Sequence, residues 1–371
     1  MNTDMDLLQD RRLSEGGPAA PRPTLDLSRE RAAVWVKGLT RTFEAGKRKD
    51  GKRTVTAVAG IDLAIGRGEL FGILGPNGAG KTTTMKILTT LLYPTTGEVR
   101  VAGYDVVLKA RDVRRRIGLV SGGDNAGYGI LTVRESLWMF SQFYGVPQAE
   151  SRERSEMLLD RLALREKADE RVNRLSTGFK QRLNFARGFM SDPEIVFLDE
   201  PTLGLDVESA RHVRLFLRDW MAERPGERTV LLTTHYMAEA DELCDRIAII
   251  DRGKILATDT PQGLRQIVSA DRRVEVELDA GTPIDALSRI AGVRVLRVTP
   301  PTERGTFAVH LGVGEGRGMR AVLDSLMVEG RAVHNLSTHD PSLEDVFVAI
   351  VGRGLDETVA PRIEVEGGGT A

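Results

Sequence analysis

Residues 75–82 read GPNGAGKT and fit the pattern G-x-x-x-x-G-K-[ST] of a phosphate-binding loop. The apolar run 70–74 before them predicts a buried strand, and the pattern after them predicts a helix over 81–92. Glycines let successive backbone N–H groups turn toward a phosphate, and the start of a helix adds partial positive charge. A glycine-rich turn is the alternative, but strand and helix flanks are the context that this motif requires.

Two side chains of this loop have predicted roles of their own. Lys81 is long enough to reach the β and γ oxygens of a nucleotide, and the Thr82 hydroxyl is a ligand for Mg²⁺. ATP and Mg²⁺ are therefore the expected ligands. The residues expected to contact the nucleotide are Gly75, Pro76, Asn77, Gly78, Ala79, Gly80, Lys81, Thr82 and Thr83.

An acidic pair, Asp199 and Glu200, follows the apolar run 195–198. Ligands of open α/β sheets collect at the carboxyl ends of strands, so Asp199 is predicted to hold Mg²⁺ through a water. Glu200 is placed to accept a proton from an attacking water. Acidic residues also serve as solvated caps of strand ends, but beside a phosphate-binding loop the catalytic interpretation is favoured.

Two more segments are candidates for the site: the start of a predicted helix and the end of another predicted strand. Residues 175–181 (LSTGFKQ) begin a predicted helix that runs to Met190, with Ser176 as its N-cap. The free N–H groups at such a helix start form a second anion site, although an ordinary capped helix has the same pattern. His235 follows the run 230–234 at another strand end, where a lone histidine is usually a surface residue.

In chain order, the phosphate-binding loop, the helix start at Ser176, the acidic pair and His235 together resemble the nucleotide-binding domain of ATP-binding cassette (ABC) proteins. Residues 75–82 match Walker A, and 195–200 match Walker B with its glutamate. Residues 175–181 resemble the family signature, usually LSGGQ, while 204–206 (GLD) resemble the D-loop and 234–235 the H-switch.

The resemblance implies an α/β fold, the P-loop NTPase cassette with a helical subdomain. We place this nucleotide-binding domain at 32–268 and a small α+β accessory domain at 272–351. Residues 1–31 and 355–371 are polar and lack an apolar period, which predicts disordered tails.

The small domain is predicted from a change in pattern. From about 272, apolar and polar residues alternate, as in strands with one covered face. The last helix of the segment is predicted to have Asp340 as its N-cap and Pro341 as its first residue. The order is βαββαβ plus a helix. The helical patterns lie at 283–291, 317–328 and 342–350.

The resemblance also implies a mechanism in which two chains close head to tail around two ATP molecules. Ser176 and Gly178 of one chain would contact the γ-phosphate held by the other. Glu200 would polarise the water and His235 would contact the γ-phosphate. Phe43 resembles the aromatic residue that stacks on adenine, although a core residue at a strand end fits the sequence as well. The residues assigned to catalysis are Glu200, His235 and Lys81.

This sequence departs from the family in its signature and its Q-loop. Thr177 stands where glycine is usual, so its backbone must avoid left-handed φ. The glutamine expected near 122 or 123 is replaced by glycines. Asp124 or Asn125 is then a candidate to supply the missing oxygen. A basic segment, 47–53 (KRKDGKR), predicts an inserted hairpin that meets lipid headgroups or is simply a solvated loop.

The run STGFKQRL and residues 341–347 (PSLEDVF) resemble ATPases of type-2 bacterial exporters, a group that includes daunorubicin-resistance and sodium-export ATPases. The resemblance implies two partners, a second copy of this chain and a separate membrane permease. It also implies a location at the cytoplasmic face of the cell membrane. The accessory domain is predicted to dimerise or restrain the cassettes, whereas the transported substrate is not predicted.

Composition agrees with this interpretation. The net charge of −1 gives no attraction to nucleic acid, so no nucleic-acid partner is expected. The longest stretch without acidic or basic residues, 136–149, is 14 residues long, shorter than the ~20 of a spanning helix. The single cysteine, Cys244, excludes an internal disulfide framework and a cysteine-based zinc cluster.

Two other functions stay open at this point. One is a soluble cassette ATPase that acts on ribosomes or DNA. The other is a nucleotide-binding regulator with little turnover, which the missing Q-loop glutamine favours.

Overall fold

The computed structural model describes residues 27–48, 51–122, 128–267, 272–279, 284, 287, 289–299, 305–313, 318–328, 333–339, 341–352 and 363–365. In chain order the strands are β1 (Val34–Arg48), β2 (Gly51–Ile65), β3 (Leu70–Leu74), β4 (Thr96–Val101), β5 (Tyr104–Asp105), β6 (Ile117–Ser121), β7 (Ile195–Asp199), β8 (Thr229–Thr234), β9 (Arg246–Asp251), β10 (Lys254–Asp259), β11 (Arg272–Asp279), β12 (Val293–Val298), β13 (Thr306–Val313), β14 (Val333–His339) and β15 (Ile363–Val365). The helices are α1 (Lys81–Leu88), α2 (Ala110–Arg114), α3 (Val133–Phe143), α4 (Gln148–Arg161), α5 (Thr177–Phe189), α6 (Val207–Glu223), α7 (Met237–Leu243), α8 (Pro261–Ile267), α9 (Gly318–Val328) and α10 (Leu343–Val351).

A six-stranded sheet with the order β10-β9-β3-β8-β7-β6 forms the centre of the fold. All its neighbours pair in parallel except β10 and β9. Val196 and Leu198 of β7 pack into one apolar core, with helices α3 to α7. Ile195 and Phe197 of the same strand pack into a second core, with α1 and the antiparallel sheet of β1, β2 and β4. Burial on both faces explains the continuous apolar runs of the central strands, and the predicted α/β fold is confirmed.

Helix α1 ends four residues earlier than the pattern predicts, at Leu88 instead of 92. Thr90 adopts a positive φ of 64°, which a helix cannot continue through. The N–H groups of Leu91 and Leu92 turn back to the carbonyl of Lys86 and close the helix end.

The predicted basic hairpin is confirmed by the pairing of β1 with β2. Lys47 pairs with Lys52 and Arg48 with Gly51, while the turn between them, 49–50, lies outside the described residues. Ile363 in β15 pairs with Val55 in β2, inside a segment predicted as a tail. The remainder of that tail, and residues 1–26 of the predicted N-terminal tail, also lie outside the described residues.

The small domain has a four-stranded antiparallel sheet with the order β12-β13-β11-β14. As its alternating pattern predicts, Val274, Val276 and Leu278 of β11 are buried in a core of their own, together with Val322 of α9. Most of the predicted helix 283–291 lies outside the described residues.

Helix α10 packs on the cassette, although the sequence groups it with the small domain. Leu343, Val346 and Phe347 are buried in the core that contains α7 and α8. The predicted N-cap is wrong: Ser342, not Asp340, caps the helix, because its hydroxyl accepts from the Asp345 N–H and the Asp345 carboxylate accepts in return. The domain boundaries themselves stay predictions. Within the described part of the chain, no helix combines the length and apolar character needed to cross a bilayer.

Candidate functional site

The carboxyl ends of β3, β7 and β8 lie side by side. Leu74 of β3 pairs with Thr234 of β8, and Asp199 of β7 pairs with Thr233. The phosphate-binding loop and the other predicted catalytic side chains follow these strand ends directly. The parallel register therefore brings the phosphate-binding loop to the same sheet edge as segments that lie more than a hundred residues later in the sequence.

The phosphate-binding loop turns sharply into α1 at Gly80. This residue precedes the helix with φ 108°, in a region that favours glycine. A Cβ at Gly80 would lie 2.5 Å from the carbonyl oxygen of Ala57, so a side chain is excluded here on two grounds. Asn77 and Gly78 at the tip of the loop are exposed, while Thr83 is half-buried in the first turn of α1.

Lys81 is buried in the concave side of the loop, with 4% of its surface exposed. Its Nζ donates hydrogen bonds to the carbonyl oxygens of Gly75 (2.7 Å) and Pro76 (3.2 Å), and lies 3.5 Å from Oε1 of Glu200. Burial lowers the pKa of Lys81, whereas the Glu200 carboxylate acts in the opposite direction. The ammonium group therefore lies where an anion bound by the loop would meet it.

Thr82 and Asp199 meet across the sheet edge, as a shared cation site requires. The Thr82 hydroxyl donates to Oδ1 of Asp199 at 3.3 Å, and the Thr233 hydroxyl donates to the same oxygen at 2.6 Å. These oxygen atoms are of the kind that Mg²⁺ prefers. Among the described residues no group of three or more His, Cys, Asp or Glu side chains forms a metal site.

Glu200 is held in a strained backbone conformation with φ 51°. Its N–H donates to the carbonyl oxygen (3.0 Å) and the hydroxyl (3.2 Å) of Thr233, and these bonds hold the turn. Its Oε1 lies 3.5 Å from Lys81 Nζ and 3.4 Å from His235 Nδ1. The His235 ring packs against the Tyr236 ring with centroids 4.1 Å apart. Glu200 thus lies between the two other predicted catalytic side chains.

The signature residues have different neighbours from the side chains grouped around Glu200. Ser176 is the N-cap of α5, as predicted, and Thr177 is its first residue without a positive φ. A Cβ on Gly178 would lie 3.2 Å from Oγ of Ser209 and 3.4 Å from Oδ2 of Asp206, beside the start of α6. None of the hydrogen bonds or ion pairs found among the described residues joins Ser176 or Gly178 to the phosphate-binding loop.

Helix α5 nevertheless touches the catalytic strand ends through two buried amides that the sequence analysis did not identify. Gln181 donates to the carbonyl oxygen of Pro201 at 3.3 Å, just after Glu200. Asn184 donates to the carbonyl oxygen of Ser121 at 2.8 Å, at the end of β6. Their spacing of three residues on one helix face is the signal that predicts a shared contact.

Gly122, one of the two positions where the Q-loop glutamine is expected, packs against the backbone of the acidic pair. The Gly122 N–H donates to the carbonyl oxygen of Asp199 at 2.8 Å. A Cβ on Gly122 would lie 3.1 Å from the carbonyl oxygens of both Asp199 and Glu200. Asp124 and Asn125, the predicted replacements, lie outside the described residues.

Phe43 lies on β1 and is 36% exposed, so it is not a core residue. The guanidinium of Arg41 lies over its ring, 4.5 Å from the centroid. The ring is therefore accessible, and its contact with adenine stays a prediction.

Comparison with known proteins agrees with the motif pattern. A family model described as ABC transporter matches residues 58–203. The daunorubicin resistance ATP-binding protein DrrA2 of Streptomyces coeruleorubidus is 38% identical over 318 residues, which cover 85% of this chain and 96% of that protein. The chain belongs to the ABC transporter family. As an ABC ATPase, it binds and hydrolyses ATP.

A second relative of this ABC ATPase is named for export. The Nod factor export ATP-binding protein I of Paraburkholderia xenovorans is 35% identical over 319 residues, 85% of this chain and 98% of that protein. Among solved structures, a dimeric post-hydrolysis state of an ATP-binding cassette with ADP and Pi matches with a TM-score of 0.55 and 28% identity. The match covers 61% of this chain and 98% of that one.

Proposed function

We propose that this chain is the ATP-hydrolysing subunit of a type-2 exporter and acts as a head-to-tail dimer at the cytoplasmic face of the membrane. The observation that carries the proposal is the convergence of Lys81, Asp199, Glu200 and His235 at one sheet edge. The signature residues Ser176 and Gly178, at the start of α5, have other neighbours. The anion site at the start of α5 is thus available to a nucleotide held by a second chain. Relatives named for drug resistance and Nod factor export favour an exporter.

Each residue then has one role in hydrolysis. Lys81 and the N–H groups of the loop bind the β- and γ-phosphates, while Thr82 and Asp199 hold Mg²⁺. When bound there, Mg²⁺ neutralises charge that develops on the phosphate oxygens. Glu200 orients the attacking water and accepts its proton. His235 contacts the γ-phosphate at the neighbouring strand end, so the site acts mainly by positioning and charge.

The head-to-tail arrangement predicts complementation between two inactive variants. Lys81→Met removes the ammonium group from the phosphate-binding loop. Ser176→Asp keeps a side chain that caps α5 but places a negative charge where the γ-phosphate should bind. In a mixed dimer, the unchanged loop of the second variant faces the unchanged signature of the first. We expect the purified mixed dimer to hydrolyse ATP clearly faster than either variant alone.

Steady-state phosphate release from the two separate variants and from the mixed dimer measures this effect. The two separate variants are the internal controls, because each retains one of the two elements. A mixed dimer no more active than its parents would contradict a site shared between chains.

The exporter assignment predicts a permease-dependent location. We expect the chain to be recovered in the membrane fraction when its permease is co-expressed, and in the soluble fraction otherwise. Trp138 and Phe143 on α3 are 54% and 67% exposed and form a candidate contact surface. Trp138→Glu should reduce membrane recovery while ATP turnover persists, and Tyr93→Glu, at a 69% exposed aromatic after α1, is the control. Equal membrane binding without any permease would contradict the assignment.

A nucleotide-binding regulator with little turnover is the second candidate. It is favoured by Gly122, which offers no side-chain oxygen although it lies beside the backbone of Asp199 and Glu200. The rate of the unmodified protein, compared with that of a Glu200 variant, separates the two functions.

A further inference from the structure

Glu239 is a buried carboxyl group for which the mechanism above has no use. It lies in the first turn of α7, four residues after His235, and only 6% of its surface is exposed. Neither carboxylate oxygen accepts a hydrogen bond from the described residues. Burial of a carboxylate without hydrogen bonds is costly, and native proteins seldom retain such a group without a reason.

The groups around Glu239 belong to the elements that form the catalytic edge. Thr234 is the last residue of β8, directly before His235, and Thr202 lies in the loop directly after Glu200 and Pro201. Both hydroxyls are near enough to lower the pKa of Glu239, although neither reaches hydrogen-bonding geometry. The carboxyl group therefore lies between the segment that carries His235 and the segment that carries Glu200.

Three titratable groups lie within electrostatic reach of Glu239. Arg214 of α6 and His235 lower its pKa, whereas burial, the larger effect, raises it. Cys244, at the end of α7, is a further titratable group within electrostatic reach. A nearby cation and two nearby hydroxyls form an environment in which an ionised carboxylate can be stabilised once hydrogen bonds form.

The Thr234 hydroxyl has a proton to donate. Its oxygen already accepts the Tyr236 N–H at 2.9 Å, which leaves the hydroxyl hydrogen available. Thr202 has a hydroxyl of the same kind on the other segment. A carboxylate can accept both bonds at once.

We propose that Glu239 is a positioning residue for ATP hydrolysis, whose carboxylate accepts hydrogen bonds from Thr234 and Thr202 and so holds the His235 segment in one position relative to the Glu200 segment during turnover. Glu239 does not touch the nucleotide; it acts through the two segments. Because the 201–206 loop contains the D-loop residues 204–206, and Asp206 lies beside Gly178, the same link connects the catalytic edge to the surface beside Gly178.

A positioning role predicts that a variant of Glu239 loses ATPase activity without losing folding stability. A glutamine has the same shape, but its single carbonyl oxygen is a weaker acceptor and its NH₂ group cannot accept at all. Since burial raises the pKa of Glu239, its contribution to folding stability is largest at low pH and is lost as the pH rises through that raised value. Glu239→Gln removes this cost, so the variant should be at least as stable as the parent at neutral pH.

The test is steady-state ATP hydrolysis by the full chain carrying Glu239→Gln, Thr202→Val, or both. We expect kcat to fall roughly 10- to 100-fold in Glu239→Gln, as misplaced catalytic groups cause, with KM for ATP changed less than about twofold. The double variant should lose no more than the worse single variant, because both remove one link. Asp241→Asn on the same helix is the control, since its side chain is 35% exposed and pairs with Arg265, which does not face Glu239.

Thermal unfolding of the same proteins distinguishes positioning from a structural role. The proposal expects the unfolding temperature of Glu239→Gln to equal or exceed that of the parent. It is overturned if kcat of Glu239→Gln stays within about twofold of the parent. It is also overturned if kcat falls together with the unfolding temperature, or if the Glu239 and Thr202 effects simply add.

Discussion

Glu200→Gln is expected to lower steady-state ATP turnover by about 100- to 10,000-fold, the usual contribution of a general base. Glutamine keeps the shape of the side chain but cannot accept a proton from water. The change also removes the negative charge that lies 3.5 Å from Lys81 Nζ and 3.4 Å from His235 Nδ1. Nucleotide binding should persist, because the phosphate-binding loop is unchanged.

Phosphate release and equilibrium nucleotide binding, measured on the same preparation, check this expectation. Glu194→Gln is a matched control: Glu194 directly precedes β7, and its side chain is 44% exposed, paired with Arg67 and Arg116. A Glu200→Gln protein that keeps most of its turnover would require another base. A parent protein no faster than the variant would instead support the regulator.

Phe347→Ala is expected to release α10 from the cassette. The Phe347 side chain is fully buried in the core shared with α7 and α8, and truncation of a buried phenylalanine costs about 3–5 kcal/mol. Since about 1.4 kcal/mol is a factor of ten, amide hydrogen exchange in 343–351 should speed up more than roughly 100-fold.

Hydrogen exchange followed by mass spectrometry measures the effect directly on peptides from α10. Val348→Ala is the control, because Val348 lies on the same helix but is 43% exposed. Unchanged protection in Phe347→Ala would mean that the contact with the cassette contributes little to holding the helix.

The central sheet and the grouping of the predicted catalytic residues could be predicted because each motif lies at a strand end. Continuous apolar runs identify strands buried on both faces, and parallel strands necessarily align their carboxyl ends. Lys81, Asp199, Glu200 and His235 therefore meet as the pattern implies, and membership of the ABC family confirms the resemblance.

Other features depend on tertiary contacts that leave no local pattern. The apolar face of α10 predicts a buried helix but not which surface receives it, and that surface is the cassette. The left-handed turn that ends α1 is formed by Thr90, so no glycine in the sequence indicates it. Glu239 reads as an ordinary acidic residue in a helix until its burial is known.

The head-to-tail dimer is tested most directly by the molecular mass of the Glu200→Gln protein in saturating MgATP, measured by light scattering during size-exclusion chromatography. The account predicts a species with twice the mass of one chain that retains bound nucleotide, and a single chain when nucleotide is removed. A protein that stays strictly monomeric in MgATP, or that retains no nucleotide, would contradict it.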